Sequence, residues 1–149
     1  MKSIFDEAVR KEVIARVNSL SAENKPAWGI MTPPQMVKHC AKCEEYYMGR
    51  IPVKRSLLGR IVGKMAIRSI LKNEASGMQK NAPTSPLFKS TETGLDLEQE
   101  KNNWVKLIKE YSYFQPESFT HWFFGKMTKE QLGQFIYKHT DHHLTQFGV

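Results

Sequence analysis

Five histidines occur among 149 residues, and three of them stand where they could act together. His139 and His143 are four apart in a segment running from Leu132 to Phe147, and residues four apart on a helix share a face. Leu132, Ile136, His139, His143 and Gln146 form one stripe, and its apolar members turn that stripe toward a core. Two neutral imidazoles buried side by side each need a hydrogen-bond partner. A divalent cation satisfies both at once, and neutral imidazole is a ligand such ions favour. A pair of this kind also occurs as satisfied polar core residues or as a surface patch. His39 shifts the balance, because it lies on the apolar stripe Met36, His39, Cys40, Cys43 and Tyr47 of a second helical segment. Facing helices can bring three ring nitrogens within the ~2.0–2.1 Å that zinc requires. His39, His139 and His143 are therefore the expected metal ligands. Three protein nitrogens leave coordination positions open, the pattern of a reactive ion. Water bound there loses its proton near neutral pH, and a thiol binds as thiolate. His142, one residue round from His143, belongs at the rim.

Other residues have two readings each. Cys40 and Cys43 form a Cys-x-x-Cys inside a helix rather than at a strand-to-helix junction, so a thioredoxin-like role does not follow. Cys43 is four residues from His39 and could supplement or replace a ligand. As plain side chains, both cysteines are small apolar core residues. His121-Trp122-Phe123-Phe124-Gly125 is either the lining of a substrate entrance or a packed loop over the end of the helices. Tyr46, Tyr47 and Tyr111 could bring a hydroxyl near the metal, but spacing alone assigns none of them. Arg60, Lys64, Arg68 and Lys72 recur every four residues. Such a ridge is a solvated face, or it rests on an anionic membrane or acidic substrate.

Five stretches of helical periodicity must position these residues, and no stretch sustains the alternation of a strand. The first runs from Ser3 to Leu20. The second starts at Thr32-Pro33-Pro34-Gln35, which combines an N-cap, a proline at the first helical position and a capping box, and reaches Met48, with Gly49 as the stop. The third spans Ser56 to Lys72, with Leu57, Leu58, Ile61, Val62, Met65 and Ile70 as its apolar side and Gly59 and Gly63 weakening it. Asn73 to Thr91 is a long loop, either a lid or a connector. The fourth helix covers Glu92 to Phe114, and the last opens with the capping box Thr128-Lys129-Glu130-Gln131 and runs almost to the C-terminus. Together these predict one all-α domain over residues 1–149, an up-and-down four-helix bundle with an extra helix and long loop between the second and third bundle helices.

Composition bounds the function. A chain of this length buries enough surface to fold without disulfides or a structural metal, so a metal site is functional rather than a staple. The N-terminus lacks the apolar run of a signal peptide, and nothing approaches a membrane span. A cytoplasmic location follows by default, in which both cysteines stay reduced. The net charge of +7 comes with no nucleic-acid motif, so a nucleic-acid partner is not expected.

Thr32-Pro-Pro-Gln-Met-Val-Lys-His39, with Trp28-Gly-Ile-Met before it, resembles the first histidine motif of the DinB/YfiT-like superfamily. His139-Thr-Asp-His-His143-Leu-Thr-Gln146-Phe resembles its closing His-x-x-x-His-x-x-Gln motif, and Phe124-Gly-Lys-Met-Thr-Lys-Glu-Gln-Leu-Gly is similar to an uncharacterised branch. The resemblance implies a DinB-like four-helix bundle holding a divalent metal on His39, His139 and His143, frequently as a homodimer. Zinc or nickel is the foremost ion, and iron or copper is compatible. It also implies a small-molecule substrate and either metal-dependent hydrolysis or transfer that uses a low-molecular-weight thiol. Leu144-Thr145 replaces the arginine-glycine pair common before the closing glutamine, and Arg55 to Thr91 departs from the shortest members. The competing expectation is a non-catalytic stress-response or binding module whose metal site is structural or vestigial. No catalytic side chain is assigned at this stage.

Overall fold

A computed structural model describes all residues, 1–149, as a mostly helical chain. Its elements are α1 (Glu7–Ser19), α2 (Pro33–Tyr47), α3 (Leu57–Ile70), a 3-10 turn (Pro86–Phe88), α4 (Leu97–Glu110), β1 (Ser118–His121), β2 (Gly125–Thr128) and α5 (Lys129–Gln146). No helix is long and apolar enough to cross a membrane.

Local chemistry sets the ends of the two helices that carry the histidines. At α2 the Gln35 side-chain oxygen accepts from the Thr32 N–H at 3.0 Å, with Pro33 at the first helical position. Gly49, at φ +77°, ends the helix where a side chain would be strained. At α5 the Thr128 hydroxyl accepts from the Gln131 N–H at 3.2 Å and the Gln131 side chain returns the bond at 3.1 Å, satisfying two otherwise orphan donors. Two expected helices are shorter than the periodicity suggests. α4 begins at Leu97 rather than Glu92, because Gly94 takes φ +72° and Asp96 then caps the Gln99 N–H. α1 begins at Glu7 rather than Ser3, because the preceding residues cross α5, where the Ile4 N–H donates to the Gly133 carbonyl at 3.0 Å.

α2 packs most extensively on α4, α4 also contacts α1, and α5 contacts both α1 and α2. Val13, Met36, Trp104, Ile108, Leu132, Ile136 and Leu144 are wholly buried between them. Each such side chain contributes about 1.5–3 kcal/mol through burial. The Lys101 ammonium, buried on α4, donates to the Asn18 and Leu20 carbonyls at 2.9 and 2.8 Å. It thereby satisfies the C-terminal end of α1, whose last carbonyls have no helical partner.

Two features go beyond what the helical periodicity shows. The chain is not helical throughout, because β1 and β2 form an antiparallel hairpin pairing Ser118 with Thr128 and His121 with Gly125. Four-residue strands are too short to register as an alternating pattern. The second departure concerns α3, most of whose apolar side is turned outward, although Ile70 packs against the core. Leu57, Leu58, Ile61 and Met65 point outward, and the buried face is Gly59, Gly63 and Ile67. The two glycines lie directly on the Phe123 backbone, where an added Cβ at either would collide with the Phe123 carbonyl. Close backbone approach, rather than burial of large side chains, holds this helix to the hairpin turn. The Ser56 N–H, donating to the Trp122 carbonyl at 3.0 Å, and the Arg55 guanidinium, donating to the His121 carbonyl at 2.5 Å, fasten its start.

The loop from Asn73 to Thr91 is tied down at both ends. The Lys138 ammonium of α5 donates to the Asn73 and Glu74 carbonyls at 3.0 and 3.2 Å, and to that of Ser76. Farther along, the 3-10 turn packs on α2 and buries Phe88.

Candidate metal centre

α2 and α5 turn His39, His139 and His143 into the same interior space, and all three are buried. Ring centroids are 4.8 Å apart for His39 and His143, 4.8 Å for His139 and His143, and 5.5 Å for His39 and His139. The rings expected to converge from two helices are thus in mutual contact. Cys43 joins them, with its sulfur 3.9 Å from the His39 Nε2. The candidate ligand atoms of His39, Cys43 and His139 all lie within 4.8 Å of one another. His143 is outside that tightest group and adjoins it through its ring contacts. Cys40, the other half of the Cys-x-x-Cys, faces Met36 instead, at 3.7 Å between sulfurs.

Two of the rings have their tautomers fixed from outside. The Phe88 carbonyl lies 2.8 Å from the His39 Nδ1, so Nδ1 carries the proton and Nε2 keeps its lone pair. The Gln146 side-chain oxygen lies 2.9 Å from the His143 Nδ1. The Gln146 amide nitrogen donates to the Trp28 carbonyl at 2.6 Å, so the oxygen end must face the ring and His143 must donate from Nδ1. Gly29, at φ +79°, keeps that approach open, since a Cβ there would sit 2.9 Å from the Gln146 amide. His139 has no hydrogen bond to another protein group. Its ring stacks on Phe135 at 6.1 Å and meets Tyr47 edge-on at 6.2 Å.

The cluster is held uncharged. Burial pushes the His39 imidazole below its ordinary pKa, against a smaller opposing effect of the Phe88 carbonyl. Burial, followed by the neighbouring His143 and His39, pushes His139 far down. Burial and then His39 bring His143 to about 3. Burial and then Glu44 raise the Cys43 thiol well above its usual range. Three neutral imidazoles present lone pairs at physiological pH, which is the state a metal ion binds.

The residue that sequence reasoning missed is Glu44. It is wholly buried, and its carboxylate oxygens accept from the Tyr111 hydroxyl at 2.5 Å, the Trp104 indole N–H at 3.3 Å and the Thr140 hydroxyl at 3.5 Å. Burial raises its pKa to about 7, against the lowering effect of these three donors. A signal existed, because Glu44 is four residues beyond Cys40 on the inward stripe of α2. Phe88 was also missed, and no sequence signal distinguishes one loop carbonyl from another.

Beyond Tyr47 and Phe135 stands the aromatic group that the segment 121–125 suggested. His121 stacks on Phe124 at 4.5 Å and meets Tyr46 at 5.6 Å and Phe135 at 5.4 Å. Its Nδ1 accepts from the backbone N–H groups of Phe123 and Phe124 at 3.1 and 3.3 Å. His121 therefore organises the hairpin turn as a packed cover. Of the three tyrosines, Tyr111 is committed to Glu44, and Tyr46 accepts from the Trp122 N–H at 2.5 Å. His142 is only part-buried and lies against Trp28 at 5.2 Å, at the rim as expected.

Burial, followed by the Arg55 charge, depresses His121 to about 3. A histidine that protonates near 6.5 when unfolded and near 3 when folded leaves the unfolded chain holding more protons in between. Stability therefore falls as pH drops from about 6.5 toward 3, by up to about 1.4 kcal/mol per pH unit for each such histidine. Calorimetric melting of the protein in chelator, from pH 8 down to pH 4, should show a steepening loss below about 6.5. A flat profile across that window would contradict the burial of neutral histidines.

Fold and cluster together define a small helical protein with a buried histidine–cysteine group suited to a divalent cation. The chain belongs to the family described as protein of unknown function (DUF1569), which it matches over residues 6–148. No curated protein and no solved structure matches it.

Proposed function

We propose that His39, His139 and His143, with Cys43 beside them, bind one divalent metal ion, and that the protein is a metal-dependent enzyme of the DinB/YfiT-like kind. The observation that carries this reading is His139, which makes no hydrogen bond to another protein group, beside two imidazoles whose Nδ1–H groups are already taken by carbonyl oxygens. Outer partners that fix a ring's tautomer and angle are typical of metal-ligating histidines. The packing of α2, α4, α1 and α5 supports a four-helix bundle, with α3 and the following loop as the insertion between the second and third bundle helices.

Bound at this cluster, zinc or nickel would act as a Lewis acid toward a water or thiol. The chain's own residues have separate tasks. The Phe88 carbonyl and Gln146 hold their rings in one orientation. Tyr47, Phe135 and the hairpin turn wall the cluster from bulk water on one side. Cys43, whose thiol resists ionisation in the apo protein, is available as a fourth donor when a cation lowers its pKa. The reaction is hydrolysis of a small molecule or transfer to a low-molecular-weight thiol, in the cytoplasm that the N-terminal sequence suggests by default and in the homodimer that the resemblance implies.

Cys43 also favours a second reading. Three imidazoles and one thiolate fill a tetrahedral ion completely, as in structural sites, and the protein would then be a non-catalytic module. Cobalt substitution separates the two, since thiolate ligation adds a charge-transfer absorption that three-imidazole ligation lacks. Gln146→Leu tests the outer partner. Loss of such a partner is expected to weaken metal affinity about 10- to 100-fold, measured by competition with a chromophoric chelator. Unchanged affinity would show that Gln146 has no part in the site.

A further inference from the structure

The outward face of α3 has no partner within the chain. Leu57, Leu58, Ile61 and Met65 are 78%, 60%, 81% and 69% exposed. They form a continuous stripe, because positions three and four apart adjoin on a helix. Arg60, Lys64 and Arg68 run beside that stripe and are exposed as well. Residues 54–72 hold six arginines and lysines and no aspartate or glutamate, in a chain whose whole net charge is +7. Arg50, just upstream, is paired with Glu110, whereas Lys54, Arg60, Lys64, Arg68 and Lys72 have no ion-pair partner. Scattered apolar side chains on a surface need no explanation, but a contiguous set flanked by unpaired charge does.

We propose that α3 is a membrane-surface helix that lays its apolar stripe into an anionic lipid interface. A second copy of the chain is a poor occupant, because two such faces would meet with cations on both sides and no acidic residue to oppose them. A purely polar polyanion would use the cations and leave the four apolar side chains in water. Anionic lipid satisfies both halves of the face, with the stripe entering the headgroup boundary and the cations meeting phosphates. The glycine face adds a mechanical reason. Gly59 and Gly63 set the helix flat on the Phe123 backbone, so the helix axis lies along the protein surface and the whole outward stripe can reach a plane at once. This inference is independent of the metal site.

The test is cosedimentation of the full chain with vesicles of phosphatidylcholine plus phosphatidylserine, and with phosphatidylcholine alone, at low and raised sodium chloride. Binding to the anionic vesicles alone is expected, weakened by salt. Arg60→Gln and Lys64→Gln are each expected to weaken it about fivefold. The double variant Ile61→Ser/Met65→Ser keeps every charge and should lose most of the binding. Both sites are exposed, and circular dichroism should verify that the fold survives. Three results would overturn the proposal: no pelleting with anionic vesicles, equal pelleting with neutral ones, or undiminished binding of the serine variant, which would mark a site for a polar polyanion such as RNA. Sedimentation equilibrium adds a fourth, a dimer that the serine variant dissociates.

Discussion

Zinc or nickel titrated into untagged, chelator-treated protein is expected to bind at about one ion per chain, and His139→Ala to reduce that affinity at least 100-fold. His139 is the most informative ligand to remove. His39 and His143 each hold a carbonyl oxygen, so truncating either would also leave a buried acceptor unpaired. His139 has no such bond, and its loss removes a metal ligand at little other polar cost. Stability provides a second readout. A ligand at 100 times its dissociation constant adds about 2.7 kcal/mol to the folded state, so the wild-type melting temperature should rise on metal addition and that of His139→Ala should not. Cys43→Ala divides the two functional readings. Retained binding, with no thiolate absorption in the cobalt protein, leaves a three-imidazole site with open positions, whereas loss of binding makes the thiolate an obligatory ligand. Equal metal content in wild type and His139→Ala would remove the metal centre altogether, and with it the enzymatic proposal.

The inward stripes of α2 and α5 were legible because two strong capping boxes fix where each helix starts, and a 3.6-residue period then determines which positions face inward. His39, Cys43, His139, His143 and Gln146 all fall on those stripes and all are buried. What periodicity does not encode is the partner of each stripe. For α3 the same logic misleads, since the stripe Leu57, Leu58, Ile61 and Met65 is left in solvent, and Gly59 and Gly63 pack because the opposing surface is backbone. The His39 partner was invisible for a different reason: a backbone carbonyl looks alike at every residue, and only the path of the loop brings that of Phe88 to the ring. The hairpin escaped notice because each strand has four residues and its turn is a run of aromatic side chains.

Glu44→Ala is expected to cost about 2–5 kcal/mol of folding stability, from unpaired neutral donors and the cavity left behind, a large fraction of the 5–15 kcal/mol typical of a domain. The carboxylate joins three helices at one point, accepting from Trp104 and Tyr111 of the α4 region and from Thr140 of α5. Alanine would strand those donors in a space closed to water and leave a cavity beside them. Glu44→Gln keeps the volume and one acceptor oxygen, and should cost clearly less. Urea denaturation of the two variants measures both values, and an alanine variant within 1 kcal/mol of wild type would show that the network contributes little net stability. The same variants bear on the metal. Glu44 is next to Cys43 and its partner Thr140 is next to His139, so this carboxyl group ties together the two backbone segments that carry the ligands. If it sets their register, Glu44→Ala should lose metal affinity and stability together, Glu44→Gln should retain most of both, and His139→Ala should lose metal affinity with the smallest loss of stability in the apo protein. Metal affinity unaltered in Glu44→Ala would confine Glu44 to the core and leave the register of α2 and α5 to packing alone.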